Sequence, residues 1–248
     1  MANLEKAIHR DFKGWDFSYL EVSRRMHEYP LSWNYTIELH PYLKKADSLL
    51  DMGTGGGEYL SFLSSLHSLP KNSFATESYE PNVLIAKERL EPLGIEVRQI
   101  SDDDKLPFDD NMFDLIINRH ESYSCKEVYR VLKTGGIFLT QQVGGMNDYE
   151  INELLHADNP VDREWSLAKA VHELQQVGMK ILKQKEDYTK TRFYDIGAIV
   201  YYLKAIPWQV PDFTVENYHE RLKYINEIIM RVGFIEFTCH RFLIISQK

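Results

Sequence analysis

The chain is short of several things, and each shortage narrows what it can be. It has two cysteines, Cys125 and Cys239, in no metal-ligand spacing. A disulfide framework is therefore excluded, and a reduced, cytoplasmic setting is expected. Its nine histidines are scattered, with no H-x-x-x-H pair and no C-x-x-C, so no metal is expected. No apolar run approaches the roughly 18 residues that a membrane span requires, and residues 1–10 lack the apolar core of a signal peptide. Cations are the minority: 29 Lys and Arg stand against 37 Asp and Glu, a net charge of −8. Nucleic-acid binding needs clustered cations to replace counterions, so this balance argues against it. Internal repeats and low-complexity segments are also absent. A hydrophobic content of 44% over 248 residues still supplies a sizeable core, enough for one large domain or a domain with a cap.

What the chain does have is concentrated around residues 48–60. Ser48 to Met52 reads as a short buried strand, with Asp51 near its end. Glycines recur at 53, 55 and 57, and a helical pattern follows with Tyr59, Phe62, Leu63 and Leu66 on one face. Strand, glycine turn and helix together lay backbone N–H groups open to a ligand. A dinucleotide turn would place a third glycine at 58, but Glu58 stands there and would face a pyrophosphate. The ligand expected is one that tolerates acids.

Further strands follow in order. Ser73 to Glu77 ends in an acid 20 residues beyond Gly57, a spacing from which a carboxylate can hold both ribose hydroxyls. Pro81 opens a helix through Leu90. Ile95 to Ile100 and Phe113 to Asn118 read as strands, and Ser124 with Glu127 has capping-box spacing before a helix ended by Gly135-Gly136. Ile137 to Val143 is a fifth strand. The alternation predicts a doubly wound, mostly parallel sheet.

The motifs D-x-G-x-G-x-G at 51–57, D-x-x-x-L-P-F at 102–108, F-D-L-I-I-N-R-H at 113–120 and R-V-L-K-x-G-G at 130–136 resemble the class I S-adenosylmethionine (SAM) methyltransferases. Their spacing is that of the ubiquinone/menaquinone-type ("type 11") group. The resemblance covers roughly residues 45–145. It departs at Thr134, where the pattern usually has Pro, at a turn remote from the cofactor. It implies a Rossmann-like, seven-stranded sheet with SAM as cofactor. Asp51, Gly53, Gly55 and Gly57 would form the cofactor turn, and Glu77 would hold the ribose. Asp102 or Asp103 would meet the adenine amino group, and Asn118 would lie beside the methionine part. Trp33 and Tyr35, in an aromatic N-terminal segment, would cover cofactor or substrate, or simply pack the segment onto the core.

Beyond residue 146 the family pattern fades. Asn147 or Asp148 can cap one helix and Asp162 another, and Met179 to Tyr188 reads as a sixth strand. The family joins this strand to the last by a short hairpin, whereas here about 45 residues intervene. Within them, Tyr194 to Ala205 is apolar on two opposite faces and must be buried on both. Trp208 lies in a stiff loop between Pro207 and Pro211, and Thr214 can cap a long helix. The expected division is an extension at 1–46, a SAM-binding core at 47–188, a helical insertion at 189–233 and a last strand at 234–248. The insertion is expected to be a lid over the acceptor, with a dimer interface or fixed core as rivals.

Methyl transfer needs a positioned acceptor and excluded water, and a base only where the acceptor must lose a proton. His120 is the candidate base, because imidazole titrates near neutral pH, or else a residue that orders its loop. Arg119 could pair an acidic acceptor or a surface acid. Tyr201 and Trp208 could face the acceptor or pack the core. The expected activity is methyl transfer from SAM to a small apolar or aromatic metabolite, by a chain that could form a homo-oligomer. The alternatives are an RNA methyltransferase, though the N-P-P-Y and P-C motifs are missing, and a non-catalytic SAM-binding regulator.

Overall fold

The computed structural model describes residues 18–248 apart from Val161. Residues 1–17 of the extension expected at 1–46 lie outside the described residues. The chain divides into two units.

The first unit comprises Trp33–Val143, Ser166–Glu186 and Phe242–Lys248. Its elements are α2 (Tyr35–Leu43), β2 (Ser48–Met52), α3 (Glu58–Leu66), β3 (Asn72–Glu77), α4 (Glu80–Leu90), β4 (Glu96–Gln99), β5 (Phe113–Arg119), α5 (Cys125–Val131), β6 (Leu132–Val143) and α7 (Leu167–Gln176). The ends of two long strands, β7 (Lys180–Phe193) and β8 (Ile235–Gln247), complete it. Strand order is β7-β8-β6-β5-β2-β3-β4. β2 pairs in parallel with β3 and β5, β3 with β4, and β5 with β6. All five residues of β2 are buried, as a strand covered on both faces must be. The order reverses between β2 and β5, the point at which open parallel sheets bind ligands at their carboxyl ends. Asp51, Glu77 and Arg119 all stand at those ends.

One local expectation is corrected here. Ser124 precedes α5 but its side chain makes no capping hydrogen bond. Glu127 accepts instead from the Leu106 N–H at 2.8 Å and pairs with Arg130 at 2.7 Å. Arg130 also donates to the Leu106 and Phe108 carbonyls, so the acid fastens the L-P-F loop rather than its own helix. A charge-assisted partner outcompetes a backbone amide for the same carboxylate.

The second unit comprises Gly144–Trp165, Asp187–Arg241 and the described part of Met1–Ser32. It holds α1 (Ser18–Val22), β1 (Met26–Glu28), α6 (Tyr149–Leu155), α8 (Ile196–Ala205), α9 (His219–Val232) and the remaining parts of β7 and β8. β1 pairs antiparallel with β7, Met26 against Phe193. That makes eight strands where seven were expected; a three-residue strand carries no period-2 signal to read. α8 is buried along nearly its whole length, among Leu20, Ile151, Leu222, Ile225 and Phe237. Both apolar faces of this helix therefore find cover inside the unit. Asp195 caps it, accepting from the Ala198 N–H at 3.0 Å while holding Arg25. The last long helix starts at His219 and not beside Thr214, whose hydroxyl closes a separate turn with the Asn217 N–H. α7 is capped by Ser166 in place of Asp162.

Candidate cofactor and acceptor site

The site grows out of the turn after β2. Gly53, Gly55 and Gly57 all have positive φ, but only one of them opens onto space. A Cβ on Gly57 would meet Leu90 Cγ at 2.7 Å, so that glycine lets α3 and α4 approach. A Cβ on Gly53 would overlap the Glu121 side chain. A Cβ on Gly55 would meet nothing nearer than Glu58 Oε2 at 3.9 Å, which leaves this backbone approachable.

Glu77 holds the turn from below. Its Oε2 accepts from the Gly55 N–H at 2.7 Å and its Oε1 from the Tyr79 N–H at 2.8 Å. An ionised carboxylate has about four acceptor sites, and the Ser78 N–H also favours its charge, so some capacity beyond the backbone partners is left. Burial pushes the Glu77 pKa up, against the Tyr79 and Gly55 bonds that favour its charge.

Three more acids surround it. Asp51 is buried, and desolvation raises its pKa to about 7 against the Thr54 bond and the Arg119 charge. Asp103 accepts from the Ser122 hydroxyl at 2.5 Å and is pushed up by burial. Glu121 is pushed up by burial first, then by Asp103 and Glu77. Asp102 accepts from the Ser101 hydroxyl and the Asp104 N–H, both at 3.0 Å. A cleft of about 350 Å³ runs past Ser78, Asp102, Asp103, Glu121 and Ser122. Its size falls in the range of small-molecule sites, roughly 300–1,000 Å³. Mutually raised acids in a cleft are a field that draws a cation.

The end of β5 carries a different chemistry. The Arg119 guanidinium lies over the Tyr59 ring at 5.3 Å and the Tyr35 ring at 5.9 Å, and the two rings meet edge to face at 5.4 Å. The His120 Nε2 is 2.9 Å from the Gln141 Nε2, and the Gln141 Oε1 accepts from the Trp33 indole N–H at 2.8 Å. An indole N–H can only donate, which fixes the carbonyl of Gln141 on Trp33 and its amide on His120. The His120 Nε2 must therefore accept, and the neutral ring carries its proton on Nδ1. A base acting through Nε2 would first have to give up Gln141.

Residues 50–140 match the family model described as "Methyltransferase domain". Over 113 residues the chain is 34% identical to a malonyl-[acyl-carrier protein] O-methyltransferase of Marinomonas sp., covering 42% of each protein. Over 142 residues it is 27% identical to a ubiquinone/menaquinone biosynthesis C-methyltransferase of Neisseria meningitidis, covering 54% of this chain and 57% of the relative. A Bacillus subtilis protein provisionally named a 23S rRNA (guanine-N(1)-)-methyltransferase is 27% identical over 67% of this chain and 58% of its own length. The chain spans about half the length of the curated relatives it matches. A solved Bacillus halodurans protein, provisionally named a methyltransferase, shares the fold with a TM-score of 0.59 at 19% identity, covering 86% of this chain and 99% of that one. Residues 50–140 carry a methyltransferase domain, and there the chain is similar to methyltransferases of the type 11 group.

The cofactor of this domain is S-adenosylmethionine, and the residues fit it. An acid-rimmed cleft suits a molecule with a sulfonium and an ammonium and no phosphate. Glu77 keeps acceptor capacity beyond its backbone donors, and Gly55 leaves its backbone open. Asp102 and Asp103 line the cleft. Asn118 takes another part. It is fully buried, its Oδ1 accepting from the Thr140 hydroxyl at 2.9 Å and the Gln142 amide at 2.6 Å. Its Nδ2 donates to the Ser122 carbonyl at 3.2 Å, so it ties β5, β6 and the following loop beneath the methyltransferase cleft. Trp33 and Tyr35 are both buried and act through Gln141 and Arg119. Tyr201 and Trp208 belong to the other unit; Tyr201 is buried edge-on against Tyr19 and Trp208 is 55% exposed.

Sequence reasoning missed Glu121, Gln141 and Tyr59. Gln141-Gln142 did carry a signal, since two amides interrupt an otherwise apolar strand at its carboxyl end, where ligands bind. Glu121 carried none that a surface acid lacks. Among the described residues no helix is long and apolar enough to cross a membrane, and both cysteines are free thiols.

Proposed function

We propose that the protein is a SAM-dependent methyltransferase whose acceptor is a small apolar or aromatic metabolite. The observation that carries this reading is the cluster of acids beside the glycine turn, Glu77 bonded to the Gly55 N–H with Asp51, Asp103 and Glu121 near it, next to the cleft that Asp103 and Glu121 line. Glu77 would hold the ribose, Asp102 or Asp103 the adenine amino group, and Asp51 the ammonium of the methionine end. When bound, SAM supplies an electrophilic methyl group on a sulfonium. The chain's own part is to orient cofactor and acceptor and to keep water out. His120, held by Gln141, orients its loop and offers an N–H at Nδ1; it takes a proton only if the Gln141 bond opens.

Named acceptors among the relatives are an acyl-carrier-protein thioester, a quinone precursor and ribosomal RNA. The first two favour a metabolite, as does the chain's net charge of −8. The third supports a second reading, an RNA acceptor. Calorimetry with S-adenosylhomocysteine tests cofactor binding, and no heat at millimolar ligand would sink the whole reading. S-adenosylhomocysteine formation is then followed with quinols, acyl thioesters and total RNA. Turnover on RNA that falls steeply with salt would replace the metabolite reading with the RNA one.

The segment 189–233 is proposed, as the sequence suggested, to act as a lid over the acceptor. Hydrogen exchange with and without an acceptor analogue is the test. Equal protection in both states would remove the lid.

A further inference from the structure

Arg119 is out of keeping with its surroundings. Acids outnumber bases in the chain, and four buried or half-buried carboxylates stand at the same ends of the sheet. Yet the Arg119 guanidinium makes no ion pair and no hydrogen bond with any described residue; its contacts are the faces of Tyr35 and Tyr59. Both rings are fixed from elsewhere. The Tyr35 hydroxyl donates to the Asn118 carbonyl at 3.2 Å, and the Tyr59 hydroxyl shares a hydrogen bond with Thr36 at 3.1 Å. A guanidinium held over aromatic faces uses none of its N–H groups in conventional hydrogen bonds there, which leaves them able to donate elsewhere.

Other arginines show what this chain does with a guanidinium meant for structure. Arg25 is forked onto Asp195, and Arg130 holds Glu127, Asp110 and two carbonyls. Arg119 is instead pinned by rings, exposed, and kept off Asp51 while still lowering that acid's pKa. A planar fork with no acceptor of its own matches a planar anion, and a carboxylate is the anion that takes two parallel N–H bonds. A diffuse cationic patch would attract phosphates equally, but the surrounding acids repel a doubly charged group.

We propose that Arg119 is a carboxylate-binding residue of the methyltransferase site. This rests on the cofactor reading above. The carboxylate comes from one of two sources: the amino-acid end of the cofactor, whose ammonium Asp51 would take, or an acidic acceptor. Asp51 and Arg119 together present the two charges that an α-amino acid complements.

The test uses the full chain, its Arg119→Met variant, which keeps the length and loses the charge, and Arg119→Lys, which keeps the charge and loses the fork. Calorimetry measures S-adenosylhomocysteine and its decarboxylated analogue, S-adenosyl-3-thiopropylamine, against each. Benzoate and the neutral benzamide are then titrated into the S-adenosylhomocysteine complex, followed by tryptophan fluorescence. If the cofactor supplies the carboxylate, Arg119→Met weakens S-adenosylhomocysteine by ten-fold or more and leaves the decarboxylated analogue unchanged. If the acceptor supplies it, both nucleosides bind as before, and a ten-fold preference for benzoate over benzamide disappears in the variant. The proposal is overturned if both nucleosides weaken equally, which marks Arg119 as structural. It is also overturned if neither nucleoside weakens and benzoate shows no Arg119-dependent preference. Absence of S-adenosylhomocysteine binding to the unaltered protein would instead strike the cofactor reading. Should Arg119→Met not fold, Arg119→Lys carries the same comparison.

Discussion

The two units bury charge in opposite ways. Around the glycine turn, Asp51, Glu77, Asp103 and Glu121 are desolvated near one another, and Asp103 and Glu121 line a cleft. In the other unit most buried polar groups pair with one another, the Asp148 Oδ1 being an exception. Arg241, 7% exposed, donates to Asn147, to the His240 carbonyl at 3.0 Å and to Glu28 at 3.2 Å. The Gln209 amide donates to Asn152 at 2.7 Å, and Asn152 returns a bond to the Gln209 carbonyl at 2.8 Å. The Tyr202 hydroxyl donates to Asp148 at 2.7 Å. Like charges left open to a cleft cost stability and need a ligand to explain them, whereas a closed network explains itself by holding strands and helices in place.

The largest break expected is in the closed network. Arg241→Met leaves Glu28 without its cation and takes one of two donors from Asn147 and from the His240 carbonyl, which keep the His240 and Gly144 N–H groups. Breaking a buried ionic pair from one side costs several kcal/mol, and partly exposed Glu28 can recover some solvation, so about 3 kcal/mol is expected. That corresponds to a fall in Tm of roughly 10 °C for a chain this long. S-adenosylhomocysteine affinity, measured below the new Tm, should stay within two-fold. A large loss of affinity in a folded Arg241→Met protein would mean that the network serves the site as well.

Next comes a pH effect that both units share but only one should lose on ligand binding. Burial raises Asp148 and Asp51 to about 7, from about 3.9 in an unfolded chain. Below about pH 4 both states hold the proton. Between about pH 4 and 7 only the unfolded state releases it, so stability falls as pH rises through that window and then levels off. Asp148→Asn removes one share of this slope and should stabilise the protein at pH 8, by about 1–4 kcal/mol, with little change at pH 4. Asp51→Asn should act likewise in the empty protein. With S-adenosylhomocysteine present, the ammonium favours ionised Asp51, and that gain should vanish while the Asp148→Asn gain persists. Equal responses with and without ligand would contradict the division between open and closed burial.

Glu77→Ala follows. It removes the acceptor of two backbone donors and of the proposed ribose hydroxyls, each such bond being worth about 1.5–3 kcal/mol. S-adenosylhomocysteine should bind ten-fold or more weakly, and stability should fall as well, because the Gly55 and Tyr79 N–H groups lose their partner. Calorimetry giving unchanged affinity would remove Glu77 from the ribose.

The same contrast separates what was legible in the sequence from what was not. The methyltransferase unit could be read because its constraints are local. A glycine at 55 answers to backbone conformation, an acid at 77 to strand length, and buried β2 to an unbroken apolar run. Asn118 was placed at the right strand end but assigned to the ligand, because the sequence does not show that Thr140 and Gln142 already occupy its carbonyl. Glu127 was expected to cap its helix because its competitor, Arg130, could not be weighed from spacing alone. In the other unit the partners are distant in sequence, Glu28 with Arg241 and Asp148 with Tyr202, and no local period reports such pairings. Only the doubly apolar helix around Ile199 announced itself, because burial on two faces is a property of one element.

The smallest expected effect on stability bears most directly on the lid. Trp208 is 55% exposed, so Trp208→Ala should change stability by no more than about 0.5 kcal/mol. Tyr201, by contrast, is buried in the unit's core, and its truncation would cost several kcal/mol and confuse any functional reading. Trp208 is therefore the cleaner probe. A large aromatic side chain kept exposed between two prolines has its backbone order supplied in advance, which lowers the entropy lost when it meets a partner. If 189–233 covers an acceptor, Trp208→Ala should raise the acceptor KM several-fold with S-adenosylhomocysteine affinity and molecular mass unchanged. If the residue joins two copies of the chain, sedimentation should show a concentration-dependent shift to monomer with kinetics intact at high concentration. An unchanged KM together with an unchanged mass would leave Trp208 as one exposed aromatic among many, and the lid would have to be sought elsewhere in the segment.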